Sequence, residues 1–189
     1  MPDLLYFAYG SNMLRERLLA RKVRLLDPGK PAAAKGFSLV FNKRSDDGSG
    51  KANLKPEATA EAWGVIFSVD PNSLQALDAA EGAPDHYRQE TITVQAGSSE
   101  LRAMTYLAQP AKLTTTPTEP YDWYLALILA GAKACPGLPP KWIKDVRQIA
   151  HPKPDPKQPL RRTFTEAVAQ LKAAGFPNWR DLLKKEPDF

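Results

Sequence analysis

The chain has 189 residues, of which 43% are hydrophobic and 25% charged, with a formal net charge of +5, and this composition is typical of one globular domain. Its lone cysteine, Cys135, excludes an internal disulfide and fits a reducing compartment. No basic leader is seen at 1–3, and the longest later apolar run, 124–132, is far shorter than the ~20 residues of a membrane span, so we expect a cytoplasmic protein that does not bind membranes.

The first predicted elements are a strand, a tight turn and a helix. Residues 4–9 are apolar or aromatic without a break, which favours a buried strand. Gly10-Ser11-Asn12 is typical of a turn or a helix N-cap, and 13–20 carry apolar residues at helical spacing. Backbone N–H groups at such a turn can hold an anion or a developing oxyanion, although an ordinary strand–helix connection has the same pattern.

A turn at Asp27-Pro28-Gly29 and a strand at 37–41 follow. The next stretch, 42–57, is rich in Ser, Asp, Gly, Lys and Pro and shows no apolar periodicity. We predict a long loop here, and its length suggests a lid or wall over a site.

The middle of the chain predicts strands and one helix. A strand at 61–69 precedes Asp70-Pro71, an N-cap followed by a proline at the first helical position, and this helix ends at Gly82. Alternating residues at 87–94 and 101–107 predict a hairpin, and 108–120 predict a loop.

Helices dominate the remainder. Residues 121–134 are apolar on nearly all sides, which favours a core helix, and 139–149 are amphipathic. We divide the chain into a domain at 1–150, a proline-rich linker at 151–160 and a helical tail at 161–189, with helical segments at 163–174 and 179–185. We expect the tail to dock either on the domain or on a second copy of the chain, and in the second case the protein would be a homodimer. Strands grouped in hairpins with few helices indicate an α+β fold.

Seven blocks carry a family resemblance. They are Tyr6–Asn12, Ala62–Phe67, Leu77–Gly82, His86-Tyr87, Thr105–Leu107, Tyr124 with Ala130–Lys133, and Gly137–Pro139. In this order they resemble the γ-glutamylcyclotransferase (AIG2-like) family over about 4–149, whereas the chain after His151 has no clear counterpart. The resemblance implies a small, mostly antiparallel β-barrel flanked by helices, here with a C-terminal helical tail. It also implies an enzyme that releases 5-oxoproline and a free amino acid from a γ-glutamyl peptide.

The protein need not supply a nucleophile for this reaction, because the substrate's own tethered α-amine attacks its γ-carbonyl. One carboxyl group can carry the proton from the amine to the leaving group, and no metal or other cofactor is needed. The sequence is consistent with a reaction that needs no metal, since two histidines are too few for a His-rich metal site. It does not favour a serine hydrolase, since Ser11 lacks the Gly-x-Ser-x-Gly elbow. Cys135 shows no catalytic partner.

Glu81 occupies the position of the family's catalytic glutamate, which implies that it is the general acid/base. It lies in the last predicted turn of a helix, where the dipole mildly disfavours its negative charge. Asp78, one turn earlier, is interpreted as structural. The resemblance places the substrate-binding surface at Tyr6, Phe7, Ala8, Tyr9, Gly10, Ser11, Asn12, Tyr87 and Tyr124. The N–H groups of Gly10 and Ser11 are the expected oxyanion or carboxylate donors, and Asn12 is expected to cap the helix.

We expect a small anionic γ-glutamyl substrate as partner and no nucleic acid, because the basic residues are scattered and accompany no nucleic-acid-binding motif. Tyr-Gly-Ser-Asn favours the type acting on γ-glutamyl dipeptides, whereas glutathione-specific relatives resemble Tyr-Gly-Ser-Leu and γ-glutamylamine-specific ones Tyr-Gly-Thr-Leu. Three alternatives stay open. They are a non-catalytic binding or interaction module, a hydrolase that releases glutamate, and a relative acting on a γ-glutamylamine or a protected antibiotic side chain.

Overall fold

The computed structural model describes residues 4–184. Five strands close into a barrel in the order β1-β3-β2-β4-β5. They are β1 Leu4–Ala8, β2 Lys30–Arg44, β3 Gly50–Val69, β4 Tyr87–Ala96 and β5 Ser99–Ala108. The α-helices are α1 Arg15–Ala20, α2 Leu74–Glu81, α3 Asp122–Ala134, α4 Pro140–Ala150 and α5 Arg162–Ala173. The expected α+β barrel with flanking helices is confirmed.

Strand pairing in the barrel is antiparallel except where β1 meets β5, which run parallel. The side chain of Phe7 is fully buried against Gly64, where a Cβ would lie 2.3 Å from the Ala8 carbonyl oxygen. The close approach of β1 and β3 therefore depends on glycine at this position. It also fixes the end of β1, from which the turn at 10–12 departs.

The prediction of a long loop at 42–57 is wrong. β2 continues to Arg44 and β3 begins at Gly50, so only 45–49 connect the two strands. The alternation of apolar and polar residues that would predict a strand is missing here, because the segment buries polar residues that have hydrogen-bond partners inside the fold. Asn53 is one of them, since its Oδ1 accepts from Ala108 N at 3.0 Å and its Nδ2 donates to Asn42 at 3.2 Å.

The helix predicted after Asp70 forms as expected. The Asp70 side chain accepts the Asn72 N–H at 2.9 Å, a short 3-10 turn spans Pro71–Ser73, and α2 follows. Gly82 ends α2 in the left-handed region at φ 62°, which costs glycine little. This cap fixes where the last helical residue, Glu81, points.

Helix α3 is the central helix, as its apolar sequence predicts. It packs against the 3-10 turn Ser11–Met13 after β1, against α4 and α5, and against the 3-10 turn Trp179–Leu183. Gly131 permits the first of these contacts, because a Cβ there would lie 2.5 Å from the carbonyl carbon of Met13. The turn at 10–12 is thus held between the barrel and α3.

The segment after α4 packs on the same body. Buried Asp155 accepts from Trp123 Nε1 at 3.1 Å and is ion-paired with Arg161, which ties the proline-rich stretch to α3. Arg17 of α1 donates to Gln170 of α5 at 2.9 Å. The tail therefore contacts the domain within the one chain, and its predicted part at 185–189 lies outside the described residues. No helix within 4–184 is long and apolar enough to cross a membrane.

Candidate active site

Glu81 is positioned by its own helix and by the strands beneath it. Asp78, one turn earlier, accepts from the Tyr106 hydroxyl and from Gln89 Nε2, both at 2.7 Å. These bonds tie α2 to β4 and β5. Asp78 therefore acts through the placement of α2, which agrees with its structural interpretation.

The two oxygens of Glu81 have different environments. Oε1 accepts from Asn12 Nδ2 at 2.8 Å and from Arg21 Nη1 at 3.1 Å, and the side chain is 16% exposed. No group within residues 4–184 donates to Oε2, although the side chain borders a cleft. One oxygen is therefore held in place while the other is available to an incoming proton donor.

Asn12 does not cap a helix, contrary to the expectation from its place in the turn. The first residues of the 3-10 turn and of α1 have no side-chain cap. Asn12 instead donates to Glu81 and, at 2.9 Å, to the Tyr6 hydroxyl, while its Oδ1 accepts from Arg21 at 2.6 Å. The Asn12 side chain bonds to Glu81, Tyr6 and Arg21 instead of the backbone, because a partly buried carboxylate and a buried phenol lie within its reach.

The turn at 10–12 contributes backbone N–H groups to the cleft that Glu81 lines. Met13 N donates to the Gly10 carbonyl at 2.9 Å, which closes the turn and leaves its first amides outside it. Within the described part of the chain, neither the Gly10 nor the Ser11 N–H bonds to a backbone carbonyl. Both residues line the cleft, so these amides are suited to hold a negative oxygen.

Five tyrosines line the cleft, and burial raises the pKa of each phenol. They therefore stay neutral near pH 7 and act by hydrogen bonding. Tyr9, Tyr87 and Tyr106 donate their protons to the Tyr106 carbonyl, the Ala52 carbonyl and Asp78. Tyr6 and Tyr124 accept, from Asn12 and from Ala52 N, and the Tyr124 hydroxyl also interacts with the Ser11 side chain. The hydroxyl proton of Tyr6 has no acceptor among residues 4–184.

The cleft has a volume of about 300 Å³, open solvent at its mouth included. Its lining residues are Tyr6, Tyr9, Gly10, Ser11, Asn12, Ala52, Glu81, Tyr87, Tyr106 and Tyr124. The structure thus brings Glu81 together with seven of the nine residues expected to bind substrate. Phe7 and Ala8 do not border the cleft, because their side chains are buried in the barrel.

A wider vestibule, about 860 Å³ with its open solvent, adjoins the cleft and shares Ser11, Glu81, Tyr87 and Tyr124 with it. Four cationic side chains that the sequence did not single out also line it, namely Arg17, Arg21, Lys43 and Lys51. Arg17 lies on α1 and Arg21 is the C-cap residue four positions later, so helical spacing after the turn was a signal for them. The lysines were hidden because their hairpin was predicted as a loop.

Lys51 is held in an unusual environment in this vestibule. Its Nζ lies 2.9 Å from Asp47 Oδ2 and 4.6 Å from the ring centroid of Tyr124, with Trp123 close by at 5.0 Å. Burial lowers the pKa of Lys51 to about 8 despite its acidic partner. The charge of this lysine therefore weakens the folded state at neutral pH.

The difference in stability between the native chain and a Lys51→Met variant should therefore depend on pH. The unfolded lysine has a pKa of about 10.4, so between pH 8 and that value the unfolded chain binds more protons and stability rises with pH. Relative to Lys51→Met, the free energy of unfolding of the native chain should rise from pH 7 to pH 9.5. Urea unfolding at both pH values, with exposed Lys55→Met as the control, measures it. If the stability difference between the two proteins does not change with pH, burial does not lower the pKa of Lys51.

Comparison with known proteins supplies independent information. A family model described as "Gamma-glutamyl cyclotransferase, AIG2-like" matches residues 6–125. A Bos taurus protein named gamma-glutamylcyclotransferase is 30% identical over 155 residues, which cover 78% of this chain and 79% of the relative. Its Homo sapiens namesake is 29% identical over 166 residues and is covered to 81%.

A solved structure named gamma-glutamyl cyclotransferase superposes with a TM-score of 0.73 at 24% identity. The match covers 89% of this chain and 99% of that structure. At this identity the likeness concerns the fold, and it extends beyond the residues that the family model matches.

Proposed function

The chain belongs to the gamma-glutamyl cyclotransferase, AIG2-like family, and on that premise we propose that it converts a γ-glutamyl peptide into 5-oxoproline and a free amino acid. The observation that carries the proposal is the arrangement of Glu81. One oxygen is fixed by Asn12 and Arg21, the other has no donor among residues 4–184, and Glu81 lines a cleft together with Gly10 and Ser11 of the turn.

The reaction begins when the substrate's α-amine attacks its own γ-carbonyl carbon. Glu81 Oε2 takes a proton from the amine as the new C–N bond forms. The same proton then passes to the departing nitrogen, and the original amide bond breaks. Water is not consumed and nothing is oxidised, so a single carboxyl group is sufficient for both proton transfers.

Negative charge develops on the γ-carbonyl oxygen at the tetrahedral stage. We assign the N–H groups of Gly10 and Ser11 as its donors, and the assignment is supported by the absence of another carbonyl acceptor for either group in the described residues. Tyr6 adds a hydroxyl proton that is not committed elsewhere in that part of the chain, and Tyr124 adds a hydroxyl that interacts with Ala52 N and the Ser11 side chain. We assign these four groups to the glutamyl part of the substrate.

Product analysis tests the proposal. The protein is incubated with a panel of γ-glutamyl dipeptides, a γ-glutamylamine and glutathione, and the products are identified by mass spectrometry. 5-Oxoproline with a free amino acid is expected. Free glutamate would identify a hydrolase instead, and no turnover of any panel member would favour a binding module.

Asn12 should contribute through the placement of Glu81. Asn12→Asp keeps the shape but puts a second carboxylate where Nδ2 now donates at 2.8 Å. Because the two carboxylates repel, Glu81 moves, and we expect kcat to fall by about 10- to 100-fold. Steady-state kinetics measure this, with exposed Asn178→Asp as the control. An unchanged kcat would show that Asn12 does not position Glu81.

A further inference from the structure

The vestibule lies next to the inner cleft. The inner cleft and the vestibule share Glu81, and the turn and the tyrosines enclose the inner cleft. If the glutamyl group fills that cleft, the amide nitrogen lies at Glu81 and its substituent extends into the vestibule. The charges of the vestibule therefore act on the leaving amino acid.

Two of its four cations have carboxylate partners. Arg21 pairs with Glu81 at 3.1 Å, and Lys51 pairs with Asp47 at 2.9 Å. These charges are compensated within the protein. The other two, Arg17 and Lys43, are not in ion-pair contact with any carboxylate of residues 4–184.

Arg17 is half-buried at one side of the vestibule. Its Nη1 donates to Gln170 Oε1 at 2.9 Å, whereas its Nε is buried and has no partner among the described residues. Burial, with repulsion from Arg21 added, lowers the pKa of this guanidinium. A cation whose polar atoms are partly removed from water and held by a neutral amide alone is costly unless an anion completes its environment.

Lys43 is buried more completely than Arg17, with 5% of the residue exposed. Its Nζ lies 3.1 Å from His86 Nδ1 and 5.3 Å from the centroid of the Tyr87 ring. Asp46 lies on the far side of His86, 3.7 Å from Nε2, so it does not contact the lysine. Burial lowers the pKa of Lys43 as well.

We propose that Arg17 and Lys43 form an anion subsite that binds the carboxylate of the leaving amino acid, and that Gln170 positions Arg17 within it. This inference rests on the proposed function. In a γ-glutamyl amino acid that carboxylate is attached to the carbon bonded to the departing nitrogen. It therefore lies just beyond the bond that breaks, on the vestibule side of Glu81.

The subsite discriminates between leaving groups. A carboxylate supplies the negative charge that both cations lack, whereas a neutral amine leaves them desolvated and unpaired. Gln170 belongs to α5, which lies outside the residues that the family model matches. The C-terminal tail is thereby assigned a role in substrate selection.

The test compares γ-glutamylglycine with γ-glutamylglycinamide, which differ only in the carboxylate. For the native protein we expect kcat/KM for 5-oxoproline formation to be about 10- to 100-fold higher with the carboxylate. Arg17→Gln and Lys43→Gln should each reduce this ratio by about 10-fold, mainly by raising KM for the carboxylate substrate. Exposed Arg15→Gln and Lys55→Gln, on the same helix and hairpin, are the matched controls.

Gln170→Glu tests the positioning role separately. The new carboxylate would pair with Arg17 across the present 2.9 Å contact and compete with the substrate. We expect KM for γ-glutamylglycine to rise by about 10-fold with kcat retained, and the melting temperature to be maintained. A purely structural Gln170 would change the melting temperature without changing the ratio of the two substrates.

The outcomes separate the inference from the proposed function. 5-Oxoproline released from both substrates with equal kcat/KM would overturn the subsite and leave the function standing. A native ratio that survives both Arg17→Gln and Lys43→Gln would overturn the assignment of these residues. If neither substrate gives 5-oxoproline, the proposed function fails, and the inference fails with it.

Discussion

Glu81→Gln is expected to lower kcat for 5-oxoproline release by about 10²- to 10⁴-fold. The amide keeps an oxygen to accept from Asn12 and Arg21, which now donate at 2.8 and 3.1 Å. It cannot take the proton of the substrate's amine, so the chemical step loses its base while the cleft keeps its shape. Single-turnover kinetics with a γ-glutamyl dipeptide measure the effect on chemistry.

The control for this change is Asp85→Asn, which removes an exposed carboxylate four residues further along the chain. It should leave kcat unaffected. The Glu81→Gln protein should unfold within about 1 kcal/mol of the native one, because the partly exposed pair with Arg21 contributes little. If kcat persists within a factor of about three, too small a change for a lost general base, Glu81 is not the acid/base.

Gly131→Ala is expected to destabilise the fold by about 1–3 kcal/mol. The expected sign is unusual, since glycine to alanine within a helix ordinarily stabilises by about 0.5–1 kcal/mol. At this position the new Cβ would lie 2.5 Å from Met13 C and 2.6 Å from Leu14 N. These are backbone atoms, so either α3 or the turn after β1 must move.

Movement of that turn also displaces the Gly10 and Ser11 amides, so kcat should fall together with stability. Urea unfolding gives the free energy, and product analysis gives the activity. Ala134→Gly, at the exposed end of the same helix, should cost no more than about 1 kcal/mol. A stabilised Gly131→Ala protein would show that α3 does not press on the turn as described.

The local sequence was sufficient to predict those elements whose structure depends on neighbouring residues. The strand, turn and short helix around Gly10, the Asp70 cap and the Gly82 stop all form as predicted, because turn and cap preferences depend on neighbouring residues. The family blocks correctly indicated the family and the barrel. The same blocks named Glu81, and the structure places it at the cleft.

The hairpin of β2 and β3 shows where such reasoning fails. Residues 42–57 are polar and irregular in sequence, so no periodicity predicts a strand. They form strands because distant groups satisfy them, as the Ala108 N–H satisfies Asn53 and Tyr124 satisfies Ala52 N. Pairing across more than 50 residues leaves no trace in a local window.

The sequence by itself therefore determined the family, the α+β class and the order of elements around the turn, since these depend on short-range patterns. Only the tertiary structure decided that Asn12 holds Glu81, that the tail supports Arg17 through Gln170, and that Lys43 lies buried without a carboxylate partner among the described residues. Each of these depends on side chains brought together by packing. The charge and hydrogen bonding of a buried group are set by such neighbours, whatever their distance along the chain.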